Sequence, residues 1–216
     1  KKGYNILLAN NKYNYELEAN NLNFFLEKQV DGIILISGSG RSMNEDILRR
    51  IDSWVPIIAI NRNVGDLDIS HINFDNVKGA YDAVKHLIDY GHRDIAFFRP
   101  SVNGRFFSRT VRQTEEGYKL ALRDGGLEFN EERIYAADPN SVFQGEAVEI
   151  TKGLIERGQL PTAIFCCSDI LAVSIMRTLI AAGIKIPEEV SVVGYNNSEL
   201  SMGAIPSLTS VNQPLI

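Results

Sequence analysis

Apolar positions along the chain recur at two spacings. Short unbroken runs of branched and aromatic residues alternate with longer stretches in which apolar residues return every three or four positions, the repeat of an amphipathic helix. The runs predict strands at Tyr4–Ala9, Asp31–Ser37, Pro56–Ile60, His71–Phe74, Asp94–Phe98, Arg133–Ala137, Thr162–Cys167 and Val190–Tyr195. The periodic stretches predict helices at Tyr15–Lys28, Asn44–Trp54, Asp75 or Asn76 to Tyr90, Gln113–Arg123, Gln144–Arg157 and Ile170–Ala182. Gly91, Gly125-Gly126 and Gly183 sit where helices should stop, since glycine adopts the left-handed cap at low cost. Asp31–Ser37 is too apolar for a wet face. Strands of this kind, alternating with helices, imply parallel sheets covered on both faces and wound in right-handed crossovers. The expected fold class is therefore α/β, doubly wound.

In such sheets a ligand sits outside the carboxyl ends of the strands. The residues just past each predicted strand are almost all polar: Asn10, Ser37, Asn61, Arg62, Asp75, Arg99, Asp138, Ser168, Asp169, Asn196 and Asn197. Some should be helix caps and turn formers instead, and Asp169 and Asn76 suit that role best. Arg99, Arg105, Arg109 and Arg112 crowd one segment after a strand. Their forked guanidinium groups suit carboxylate or phosphate, although loop arginines are often simply solvated.

Composition narrows the classes. The 216 residues are 44% hydrophobic and 23% charged, with a net charge of -5, so nucleic-acid binding through a basic surface is disfavoured for this chain alone. No apolar run reaches the roughly 18 residues of a membrane span. Cys166 and Cys167 are adjacent on a predicted strand and point to opposite faces, which argues against a disulfide and fits a reducing compartment. None of the usual nucleophile, phosphate-loop, zinc-protease or CxxC patterns occurs. Gly38-Ser39-Gly40 does not complete a phosphate fingerprint, and His86 and His92 lack a second ligand at metal spacing. The chain is expected to be no enzyme, with no metal and no cofactor.

Several segments together resemble the LacI/GalR transcription regulators. They are Phe74–Tyr81, His86–Ala96, Glu116–Leu122, Pro161–Phe165 with Ser168-Asp169, Ile186–Tyr195 and Leu208–Pro214. The resemblance implies a fold like type I periplasmic sugar-binding proteins: two similar doubly wound lobes joined by crossing strands, with a ligand between them. It implies a first lobe of residues 1–75 plus 213–216 and a second of 76–212. It also suggests truncation at both ends, with the DNA-binding headpiece, first strand and last helix outside the sequence. Site residues implied by position are Ser37, Asn61, Arg62, Asp75, Ser108, Arg112, Thr114, Asn140, Phe143, Ser168, Asp169, Asn196 and Gln213. Thr114 and Asn196 stand where the family usually has an arginine and an aspartate. Loss of that carboxylate beside retained arginines points to an anionic effector, an acidic or phosphorylated sugar.

The implied protein is a sugar-responsive repressor in the cytoplasm, a homodimer that meets operator DNA through the headpiece and no membrane. The alternative is a periplasmic or extracellular solute-binding protein of a sugar transporter. The Gly91-His92-Arg93 and Ile186–Ser191 segments favour the regulator.

Overall fold

A computed structural model describes residues 3–11, 14–36, 44–62, 64–101, 109–137 and 145–213. The chain divides into two compact units, one drawn from Lys1–Phe74 and Asn103–Arg109, the other from Asp75–Val102 and Thr110–Ile216.

In the first unit, strands β1 (Ile33–Ile36), β2 (Ile57–Ile60) and β3 (Ser70–Ile72) form a parallel sheet in that order. Helices α1 (Tyr15–Glu27) and α2 (Glu45–Asp52) supply Leu22, Leu48 and Ile51, which pack with Ile33, Ile57 and Ala59 from the sheet. Neighbouring strand residues point to opposite faces, and here only one face is covered. Ile34, Ile36 and Ile58 are 66%, 69% and 43% exposed. The expectation that β1 has no wet face is thus corrected for the described residues. The strand predicted at Tyr4–Ala9 is also absent: these residues are unpaired and mostly exposed. An apolar stretch becomes a strand only when a neighbour completes its backbone hydrogen bonds, and none does so here.

The second unit satisfies the doubly wound expectation in full. Its strands are β4 (Ile95–Pro100), β5 (Ile134–Ala137), β6 (Ala163–Cys166), β7 (Ser191–Asn196) and β8 (Thr209–Asn212). They form one parallel sheet in the order β5-β4-β6-β7-β8. Ile95 and Phe97, Ala163 and Phe165, and Val193 and Tyr195 face helices α3 (Asn76–Asp89) and α4 (Arg109–Asp124). The intervening Ala96 and Phe98, Ile164 and Cys166, and Val192 face α5 (Glu146–Glu156) and α6 (Asp169–Ala181). Two buried faces explain why these strands read as unbroken apolar runs.

Helices α3 and α4 touch at Gly117, where a Cβ would lie 2.2 Å from the Val77 carbonyl oxygen. Tyr118 beside it is buried, donates to the Ile95 carbonyl at 2.8 Å and stacks on Phe97. A short helix, α7 (Glu199–Gly203), precedes β8 and is too short to show an apolar repeat in the sequence. His92 ties the amino edge of the sheet together. Its Nδ1 lies 3.2 Å from Thr162 Oγ1 and its Nε2 lies 2.9 Å from Ser191 Oγ.

Candidate functional site

The strand order turns at β4. The chain passes from β4 outward to β5, then returns across β4 to β6. Connections that diverge in this way leave a crevice at the carboxyl ends of the strands, here those of β4 and β6. Ser168 stands past β6 as the N-cap residue of α6, half-buried and with no capping hydrogen bond from its side chain. Asn196 ends β7 with an exposed side chain. Arg112, in the first turn of α4, is exposed as well. These three retain the accessibility that ligand contact requires.

Other expected ligand contacts are already committed to the protein. Arg99 Nε lies 3.3 Å from Glu115 Oε2, and Lys119 Nζ lies 2.7 Å from the other carboxylate oxygen. Thr114 is fully buried and its hydroxyl donates to the Thr110 and Val111 carbonyls. It belongs to the packing of α4, so the expected contact is withdrawn. Asp169 is 1% exposed, and its carboxylate accepts from Ser198 N and Oγ and from Ser210 Oγ. A carboxylate so enclosed cannot meet a solute, and it is no cap of its own helix either.

Asp75 caps α3, accepting from Lys78 N at 2.9 Å, and the rest of its side chain is exposed. Gln213 donates to Asn76 Oδ1 at 3.3 Å. Asn76 is itself buried and also joins Gln113 and Tyr195. Gln213 therefore lies with the second unit and not, as expected, with the first.

At the carboxyl edge of the first unit, Asn61 follows β2 with a left-handed φ of 52°, and its amide donates to the Ile72 carbonyl at 2.7 Å. Arg62 beside it is buried, and both terminal nitrogens donate to Glu18 at 2.8 Å. Asn44 and Asn11 side-chain amides donate to the same carboxylate at 2.8 and 2.9 Å. Burial alone would raise the Glu18 pKa, but the hydrogen bonds and charge of Arg62, with the two amides, hold it below its ordinary value. Arg62 is thus the partner of a buried anion and not of a ligand, which corrects its expected role. Glu18 is not among the residues expected at a site, yet the sequence carries its signal: it lies four residues before Leu22 on the buried face of α1. A carboxylate there requires a buried cation.

Ser37, Ser108, Asn140 and Phe143 lie outside the described residues. Among the described residues no group of histidine, cysteine and carboxylate side chains could hold a metal ion. Cys166 and Cys167 are free, and burial pushes both thiols up, that of Cys167 to about 12. They are therefore poor nucleophiles. A cavity of about 440 Å³ lies between α5 and α6, lined by residues such as Lys152, Ile155, Arg177 and Ala181. None of the expected site residues lines it. No described helix is long and apolar enough to cross a membrane.

Comparison with known proteins gives this geometry a context. A profile of the periplasmic binding protein-like domain matches residues 84–215. The HTH-type transcriptional repressor PurR of Pasteurella multocida is 28% identical over 218 residues, 99% of this chain and 61% of that protein. The chain thus spans about three fifths of the curated relative's length. The crystal structure of the transcription regulator CcpA of Lactococcus lactis superposes with a TM-score of 0.79 at 32% identity, covering 98% of this chain and 74% of that one. A sugar-binding regulator of the LacI family from Escherichia coli, solved with phosphate, gives 0.75 at 29% identity over 99% of this chain and 74% of that one.

Proposed function

Because the chain belongs to the periplasmic-binding-protein-like family in its LacI-type regulator branch, we propose that it is the effector-sensing core of a transcriptional repressor. A small polar solute binds at the carboxyl edges of the two sheets. The bound form favours one arrangement of the units, and that preference alters the affinity of a linked DNA-binding segment. The protein works in the cytoplasm as a dimer, and no chemistry on the ligand is part of the reading. The rival transporter role gains nothing from relatives that are transcription regulators.

The observation that carries the reading is the reversal of strand order at β4, with Ser168 past β6, Asn196 at the end of β7 and Arg112 in the first turn of α4 all accessible. These groups also bear on the solute. The anionic-effector expectation leaned on Arg62, which is spent on Glu18, while Arg99 is balanced by Glu115. The accessible hydroxyl and amide suit the hydroxyls of a neutral sugar. We therefore favour a neutral sugar over its phosphate.

Thermal unfolding of the full-length protein tests this with paired probes, cellobiose and sucrose against glucose 6-phosphate and ribose 5-phosphate. A ligand that binds only the folded state raises the melting temperature. The expected result is a rise with a neutral sugar, and a change in affinity for the DNA upstream of the protein's own gene with the same compound. Asn196→Ala should weaken that sugar by about five-fold, the value of one neutral hydrogen bond of about 1 kcal/mol. A larger response to the phosphates would overturn the choice of ligand. A wild-type response in Asn196→Ala would remove the site.

A further inference from the structure

The chain leaves β7 through two consecutive non-glycine residues in the left-handed region, Asn196 at φ 102° and Asn197 at φ 49°. Asparagine tolerates that region better than most residues. The value at Asn196 nevertheless lies beyond the ordinary left-handed well near 60°. Such conformations persist only where the surroundings over-determine them. Here the surroundings are one buried carboxylate and its donors.

Asp169 begins α6, directly behind this turn. Its Oδ2 accepts from Ser198 N at 2.6 Å and from Ser198 Oγ at 2.8 Å, and its Oδ1 accepts from Ser210 Oγ. Ser210 Oγ in turn accepts from Asn197 N at 3.0 Å. The Asn197 side chain donates to Asn212 Oδ1 at 3.2 Å and accepts from Ser201 Oγ at 3.0 Å. Both backbone amides that follow Asn196 are therefore captured, one by the carboxylate and one by the serine bound to it. The carboxylate comes this close because Gly194 makes room: a Cβ there would lie 2.5 Å from Asp169 Oδ1.

We infer that Asp169 is a positioning residue. Through Ser198 and Ser210 it locks Asn196 in its left-handed backbone, and so fixes the exposed Asn196 side chain at the carboxyl edge of the sheet. The purpose of that fixation, presenting Asn196 to the solute, rests on the effector reading above. The lock itself does not, and it is tested without any ligand.

The test is a mutant cycle on the full-length protein, with urea unfolding as the readout. Glycine carries no penalty at positive φ. Asn196→Gly should therefore shift the unfolding midpoint upward relative to its effect in an Asp169→Asn background. There the turn is free to relax and glycine brings only its entropic disadvantage. Equal shifts in the two backgrounds would overturn the proposal, because a carboxylate that merely stabilised α6 would contribute additively.

Should Asp169→Asn fail to fold, Ser210→Ala replaces it. The cycle is repeated, and hydrogen exchange is followed at Asn197 and Ser198. The Asn197 amide should exchange at least ten-fold faster while the Ser198 amide and the β4 amides keep their protection. Unchanged exchange at Asn197 would refute the lock. A lock found intact alongside no response to any sugar would refute the effector reading alone.

Discussion

The Glu18–Arg62 pair sets the clearest stability test at the level of single residues. Both side chains are almost fully enclosed, and four donors meet the carboxylate. Removing one partner strands a buried charge, so Glu18→Ala or Arg62→Ala should cost about 3–5 kcal/mol in urea unfolding. The pair also gives an acid limb. Glu18 titrates below its ordinary 4.5 in the folded protein, so its contribution is complete above that value and fades as pH falls through the lowered pKa. His92 adds a second limb at milder pH. Its two ring nitrogens lie within hydrogen-bond distance of the Thr162 and Ser191 hydroxyls. Burial lowers the His92 pKa below its ordinary 6.5. The unfolded chain thus binds the extra proton first, and stability should rise with pH through that window and level off above it. His92→Gln should flatten the rise in a series of urea titrations; an unchanged slope would place the titrating group elsewhere. Residue roles were the least legible part of the sequence. Position after a strand picked out Asn196 and Ser168, which stay accessible, together with Arg62 and Asp169, which are enclosed by partners 44 and 29 residues away that the pattern does not reveal.

Elements were legible wherever both periodicity and partners exist in the chain. Every helix of eight or more residues falls within a few positions of its predicted span, because its apolar stripe meets a sheet. The longest disagreement is α4, which begins at Arg109, four residues before the expected Gln113. In its first turn only Val111 is a buried apolar residue, between half-buried Arg109 and Thr110 and exposed Arg112, too little of a repeat to announce it. Failures at the strand level, at Tyr4–Ala9 and on the outer face of β1, share a cause: pattern states what a segment would bury, not what is present to bury it. The α3–α4 crossing shows the same rule from the packed side. Ala80 Cβ and Tyr81 N lie 2.8 and 2.9 Å from a Cβ placed on Gly117, besides the Val77 oxygen. Gly117→Ala improves helix propensity by about 1 kcal/mol, yet it must push two helices apart. Overpacking of this kind costs about 1–3 kcal/mol, so the variant should unfold at lower urea than the parent. Any gain in midpoint would mean that α3 yields without resistance.

On the scale of the whole molecule, the proposed switch makes a demand that neither unit can meet separately. A solute biases the arrangement of two units only if its contacts differ between the arrangements. A switch of the kind proposed requires a contact from each unit, which Asn61 of the first and Asn196 of the second would supply. Asn61→Ala and Asn196→Ala should each weaken the same sugar by several-fold, and each should also weaken its effect on DNA affinity. If only Asn196→Ala matters, the sugar sits on one unit and has no lever on the other. The coupling is reciprocal: a sugar that changes DNA affinity by some factor must have its own affinity changed by DNA by that same factor, typically 5–150-fold. Titration calorimetry of the full-length protein with sugar, in the presence and absence of saturating operator DNA, measures one side of this identity. Fluorescence anisotropy of labelled DNA, with and without saturating sugar, measures the other. Equal factors from both directions would tie sugar and DNA to one conformational equilibrium. A sugar that binds identically with and without DNA would leave the two sites uncoupled, whatever its affinity.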